Sequence, residues 1–199
     1  MPERLSIPGF LVGKRLINRE LNRYRYGTIY HGSDLQVFRS LAYLDRLNNP
    51  SEWSLKLQPA FRNFLRVACD RIASGGNGDG GAIATIRLNF ASGGTETDLR
   101  DGAQVLAERL LNLKGVCRVH VGVSRTEVSD IRTRETELRP EMHERVFDSI
   151  VLVEGSGFPE LEAIASEVEA IIVGSDCAVV EPATLIYNLA YMLTSRDVK

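Results

Sequence analysis

The stretch Ala82-Ile83-Ala84-Thr85-Ile86-Arg87-Leu88-Asn89-Phe90 decides the fold. Ala84, Ile86, Leu88 and Phe90 alternate with Thr85, Arg87 and Asn89, the period of a half-buried strand with one dry and one polar face. Downstream, Thr95-Glu96-Thr97-Asp98 has the pattern of a capped helix start. Leu99, Ala103, Leu106, Leu110 and Leu113 then recur at spacings of three and four up to Gly115, which predicts a helix over 98–114. Residues 117–124 alternate again, setting Cys117, Val119, Val121 and Val123 against Arg118, His120, Gly122 and Ser124. A third strand is expected over 149–154. Pro159 then opens a helix carrying Leu161, Ile164, Ala165, Val168 and Ile172 and ended by Gly174, and a last strand is expected over 183–193. Residues 82–199 thus read as a complete β-α-β-β-α-β unit.

Worked outward, residues 1–74 repeat that order without its opening strand. Ile7-Pro8-Gly9-Phe10 matches the helix exit Leu113-Lys114-Gly115-Val116. A strand follows it, then further elements are expected over 24–31 (strand), 35–47 (helix) and 63–69 (strand). Superposing the two exits places the first unit's opening strand about two dozen residues upstream of Met1, and a longer chain carrying it is expected to be more stable. Residues 75–81, Gly75-Gly76-Asn77-Gly78-Asp79-Gly80-Gly81, have the composition of a flexible linker. A phosphate cradle is disfavoured there, because a strand rather than a helix follows. The expected fold is α+β: two fused ferredoxin-like units, antiparallel sheets with helices on the outer faces, closing around a small-molecule cleft.

With 199 residues, 44% of them hydrophobic, the chain can bury one substantial core or two small ones. A formal charge of -2 and a pI near 6.0 lack the basic footprint of a nucleic-acid binder. Cys69, Cys117 and Cys177 are odd in number and far apart, so they read as small core residues rather than a disulfide or zinc framework. No apolar run approaches membrane-helix length, and Met1-Pro2-Glu3-Arg4-Leu5 lacks the form of a secretory leader, so a cytoplasmic protein is expected. The segment 125–145 is dense in charges of both signs and reads as a solvated excursion between two strands.

Met1-Pro2-Glu3-Arg4-Leu5, Ile7-Pro8-Gly9-Phe10-Leu11 and Arg15 resemble a helix exit and second strand of EthD-like proteins in the dimeric α/β-barrel superfamily. Ala42-Tyr43-Leu44, Leu47-Asn48-Asn49-Pro50, Trp53 and Phe61-Arg62-Asn63-Phe64 are similar to segments of its tandem members. The resemblance covers residues 1 to about 70 and implies a ferredoxin-like unit whose sheet pairs with another to enclose a barrel, between subunits or between tandem halves. It implies small-molecule chemistry in that barrel without choosing it, since relatives include cofactor-free monooxygenases, isomerases, cyclases and haem enzymes.

If helices cover one side of each sheet, the other faces meet inside the barrel, and those faces carry Arg87, Asn89, Arg118, His120 and Ser124. Such a polar interior suits an anionic or carbonyl ligand; the competing reading is a water-facing or ion-paired face, with Glu154 neutralising the arginines. His120 is the leading candidate for proton transfer, with Arg118 keeping it neutral. Tyr30 and His31 form a second candidate pair able to polarise a carbonyl. Trp53, Tyr187 and Tyr191 are candidates for an aromatic pocket or a core, and His143 for a surface residue. Three separated histidines give no metal signature, and neither a metal nor another cofactor is expected. The expected function is binding of a small carbonyl or aromatic catabolite, with a non-catalytic assembly module as the alternative. Homodimerisation is allowed for through an exposed sheet edge.

Overall fold

The computed structural model describes residues 1–138, 147–177 and 179–198. Its strands are β1 (Phe10–Ile17), β2 (Tyr26–Gly32), β3 (Cys69–Gly76), β4 (Ala82–Phe90), β5 (Val116–Ser124), β6 (Ser149–Gly155) and β7 (Val179–Thr194). Its helices are α1 (Pro2–Leu5), α2 (Leu41–Asn48), α3 (Glu52–Leu57), α4 (Glu96–Leu111), α5 (Thr126–Ser129), α6 (Arg134–Glu137) and α7 (Phe158–Val173). The strands form one sheet in the order β2-β1-β7-β4-β6-β5-β3, every neighbouring pair antiparallel.

The alternation in β4 and β5 fixes the outer face. Ala84, Ile86 and Leu88 join Val119, Val121, Val123, Val151 and Val153 in a core closed by Leu99, Ala103, Leu106 and Leu110 of α4 and by Leu161, Val168 and Ile172 of α7. Helix α4 starts where the sequence places it: the Thr95 hydroxyl accepts from the Asp98 amide, and the Asp98 carboxylate accepts from the Thr95 amide in return. A second outer cluster, Leu5, Ile7, Phe10, Val37, Tyr43 and Leu47, seats α1 and α2 behind β1 and β2.

Two contacts measure the curvature of the sheet. Lys14 on β1 and Glu154 on β6 have β7 and β4 between them, which in a flat sheet would separate them by about 14 Å. Their side chains meet at 2.6 Å. His31 on β2 and His120 on β5 lie five strand spacings apart, about 24 Å if flat, yet their ring centroids are 5.2 Å apart. The sheet is therefore curled on itself, and its concave face encloses the polar side chains of β4 and β5. Leu16, Ile83 and Tyr187 fill the other part of that concavity with apolar bulk.

Several expectations are corrected. The strand expected over 63–69 runs over Cys69–Gly76 instead, taking two of the presumed linker glycines into the sheet. Pairing with β5 makes this possible: Gly76, at φ +84°, lies so close to β5 that a Cβ there would be 2.1 Å from the Cys117 carbonyl. The end of the glycine run is packed too, for a Cβ on Gly80 would be 2.5 Å from the Gly155 carbonyl and one on Gly81 2.6 Å from the Ser156 carbonyl. The helix expected over 35–47 is broken at Ser40, whose extended backbone ends a 3-10 turn at Leu35–Arg39 and whose hydroxyl caps α2. Helix α3 was not anticipated. The described part of the charged segment after β5, residues 125–138, is partly docked rather than wholly solvated: Val128 is fully buried, and Arg4 reaches Glu135 at 2.8 Å. His143 lies outside the described residues. Among the described residues, no helix is long and apolar enough to cross a membrane.

Candidate functional site

The curl brings the inner faces of β1, β2, β3 and β5 around a cleft of about 320 Å³, lined by Leu11, Val12 and Lys14, His31, Arg71 and Ser74-Gly75-Gly76, Asp79, and Arg118 and His120. Cross-strand pairing, with a register shift between Arg71 and Ala73, explains the membership. Ser74 stands opposite His120 in the β3–β5 ladder, Gly76 opposite Arg118, and Arg71 opposite Gly122, so these side chains share the concave face. On the other wall Val12 pairs with His31 and Lys14 with Ile29.

Beneath the cleft lies an ion-pair network. Lys14 is 1% exposed, and its Nζ donates to both Glu154 oxygens at 2.6 Å and to Asp79 Oδ1 at 2.7 Å. Asp79 also accepts from Arg118 Nη1 at 3.1 Å, and Glu154 Oε2 accepts the Gly80 amide at 3.1 Å. The lysine hydrogen bond holds the Asp79 carboxyl below its ordinary pKa. A buried lysine is tolerated only when its charge is matched and its donors are used, and here all three donors are used.

Above the network sit the two imidazoles. His120 is 8% exposed, and among the described residues neither ring nitrogen has a hydrogen-bond partner. Burial, followed by His31, Arg71, Arg118 and Lys14, pushes its pKa down to about 3. Burial, then Lys14 and Arg71, lowers His31 to about 4. Both rings are neutral at physiological pH, each with a lone pair able to accept a hydrogen bond or a proton. Among the described residues, no group of three or more His, Cys, Asp or Glu side chains could hold a metal ion.

The structure thus brings His120, Arg118 and His31 together at the cleft, with Glu154 directly below them. It separates the remaining sequence candidates. Arg87 shares the concave face but stacks over Tyr24 at 4.8 Å, with its Nε buried and without a hydrogen-bond partner among the described residues, and does not line the cleft. Asn89 lies beyond it on β4, opposite Val180, and does not line the cleft either. Ser124 donates its hydroxyl to the Phe147 carbonyl at 2.6 Å, a structural bond at the strand end. Tyr30 neighbours His31 in sequence and therefore faces the opposite side, where its ring packs edge-on to Phe10; the Tyr30–His31 pairing does not form. Nor do the three aromatics share a pocket: Trp53 and Tyr191 are exposed, whereas Tyr187 is buried and donates to the Tyr24 carbonyl at 2.8 Å.

Sequence reasoning missed Lys14, Arg71 and Asp79. A signal existed for Lys14, which alternates with Val12 and Leu16 and so had to point inward with them. Asp79 was hidden by its glycine neighbours. Arg71 was hidden by the misplaced strand.

No protein-family model and no curated protein matches this sequence. Two solved structures are similar in fold. An anthrone oxidase-like protein superposes with a TM-score of 0.58 at 12% identity, over 96% of this chain and 81% of its own. A protein of Fusobacterium nucleatum, provisionally named a monooxygenase, superposes with a TM-score of 0.55 at 12% identity, over 94% of this chain and 78% of its own. At that identity the likeness is one of architecture, and what this chain shares with these proteins is its curled antiparallel α+β fold.

Proposed function

We propose that this chain is a small-molecule-binding protein of the dimeric α/β-barrel type, EthD-like in its first 70 residues, and that it holds a small carbonyl or aromatic compound in the cleft while the His31–His120 pair accepts a proton from it. In this reading residues 1–74 and 82–199 contribute two ferredoxin-like units to one barrel. The strand order β7-β4-β6-β5, with α4 linking β4 to β5 and α7 linking β6 to β7, supports it for the second unit.

The observation that carries the proposal is the pair of neutral, adjacent rings lining the cleft, with His120 buried and, among the described residues, without a hydrogen-bond partner. Unpartnered buried polar groups are costly in a purely structural role, and a ligand group would satisfy them. The step is a proton transfer: an O–H bond, or a C–H bond beside a carbonyl, breaks, its electron pair stays on the ligand as phenolate or enolate, and an N–H bond forms on His120. An imidazole with a pKa of about 3 is by itself a weak base. The transfer, however, creates an anion beside the new imidazolium, and an opposite charge at 4–6 Å raises such a pKa by about 1–3 units. Arg71 and Arg118 face the same space and would stabilise the ligand anion.

Exchange of acidic C–H protons in carbonyl compounds, followed by NMR in deuterium oxide, tests this reading. The His120→Ala variant should slow exchange by about 100-fold or more, and a variant exchanging as fast as the parent protein removes His120 from the chemistry. The Lys14–Glu154–Asp79–Arg118 network favours a second reading, an ion-paired assembly module. Absence of any ligand-dependent exchange or binding in the parent protein would select it.

A further inference from the structure

We infer that the ligand carries a carboxylate, and that this carboxylate docks on Arg71 at the mouth of the cleft while the rest of the molecule reaches the buried histidines. The inference rests on the proposed function for the existence of a ligand and adds its chemical class. Seven titratable groups face or underlie the cleft: Lys14 from β1, His31 from β2, Arg71 from β3, Asp79 from the loop after β3, Arg118 and His120 from β5, and Glu154 from β6. Lys14 is matched by Glu154 and Asp79, and Arg118 by Asp79. Arg71 has no ion pair among the described residues, although it is near enough to both imidazoles to depress their protonation. The cleft holds three cations against two carboxylates, a surplus of one positive charge.

The placement suits an incoming anion. Arg71 lines the cleft on β3, and Ser74 continues the same wall. A guanidinium presents a planar fork that binds a carboxylate through two parallel hydrogen bonds. A single surplus charge is balanced by a monoanion and overbalanced by a phosphate dianion. The cleft's size, at the small end of the usual range of roughly 300–1,000 Å³ for ligand pockets, fits a compound of one or two rings.

Matched acid and amide pairs test the handle directly: benzoate against benzamide and 2-naphthoate against 2-naphthamide, titrated by calorimetry into the parent protein, Arg71→Gln and Arg71→Lys. The acids should bind about tenfold or more tightly than the amides at pH 7 and low salt. Arg71→Gln should abolish that preference by weakening acid binding more than amide binding, with the melting temperature unchanged, and Arg71→Lys should restore part of it. Lowering the pH to 5.5 should strengthen acid binding, because a bound anion eases protonation of the imidazoles, and should leave amide binding unchanged or weaker. Amides binding as well as acids, or an acid preference that survives Arg71→Gln, overturns the carboxylate handle and leaves the cleft reading standing. Loss of His120-dependent exchange with the acid preference intact overturns the proton-transfer reading and leaves the handle standing. Neither acid nor amide binding overturns both.

Discussion

Lys14 carries a full charge into the concavity of the sheet, and its neighbours decide whether that charge stabilises or ruins the fold. Both it and Glu154 are 1% exposed, so removing either leaves the other buried and uncompensated. Lys14→Met is expected to destabilise the protein by about 3–5 kcal/mol in urea unfolding, whereas Lys14→Met combined with Glu154→Leu should recover most of that loss. A double variant no more stable than the single one would show that the network has some role other than mutual neutralisation. His120 presents the contrasting case. Its ring nitrogens have no partner among the described residues, the pattern expected of a group reserved for a ligand.

At the scale of elements, β3 depends on glycine where the sequence suggests a tether. Gly76 adopts φ +84° and lies within van der Waals distance of the β5 backbone, two requirements that alanine fails together. Gly76→Ala is therefore expected to cost roughly 2–4 kcal/mol and to loosen the β3 side of the cleft. Gly78→Ala has the same backbone strain but open space around its Cβ, so it should cost about 1 kcal/mol. Equal effects at the two sites, measured by thermal melting, would mean that the close approach of β3 to β5 is not maintained in solution. Helices α5 and α6 are a parallel case. Their charges suggest solvent exposure, but Val128 of α5 is buried, and so is Glu135 where α6 meets Arg4 of α1.

For the whole molecule, curling the sheet places two histidines where charging them is unfavourable, which couples stability to pH. Their pKa values fall from 6.5 to about 4 and about 3 on folding, so between those limits the unfolded chain binds more protons than the folded one. Stability from this source is fully present above pH 6.5 and declines as the pH falls towards 4. Urea midpoints should drop measurably between pH 7 and pH 5, a window above the ordinary carboxylate range, and His31→Asn with His120→Asn should flatten that drop. An unchanged slope in the double variant would mean that the rings are hydrated and ordinary in solution.

The sequence alone determined what depends on local periodicity. Alternation in β4 and β5, the Thr95 cap and the spacing of Leu99, Ala103, Leu106 and Leu110 define an apolar outer face and a polar inner one, since each residue's direction follows from the pitch of its own element. Candidate residues on that polar face were legible for the same reason, His120 and Arg118 among them. Which of them share a site depends on contacts between residues far apart in the chain. His31 meets His120, Lys14 meets Glu154 and Arg71 joins the cleft only because the sheet curls, and curvature comes from the summed twist and packing of seven strands. The same long-range pairing turned a glycine-rich stretch with weak strand propensity into β3, because the adjacent β5 backbone accepts only a residue without a side chain at Gly76.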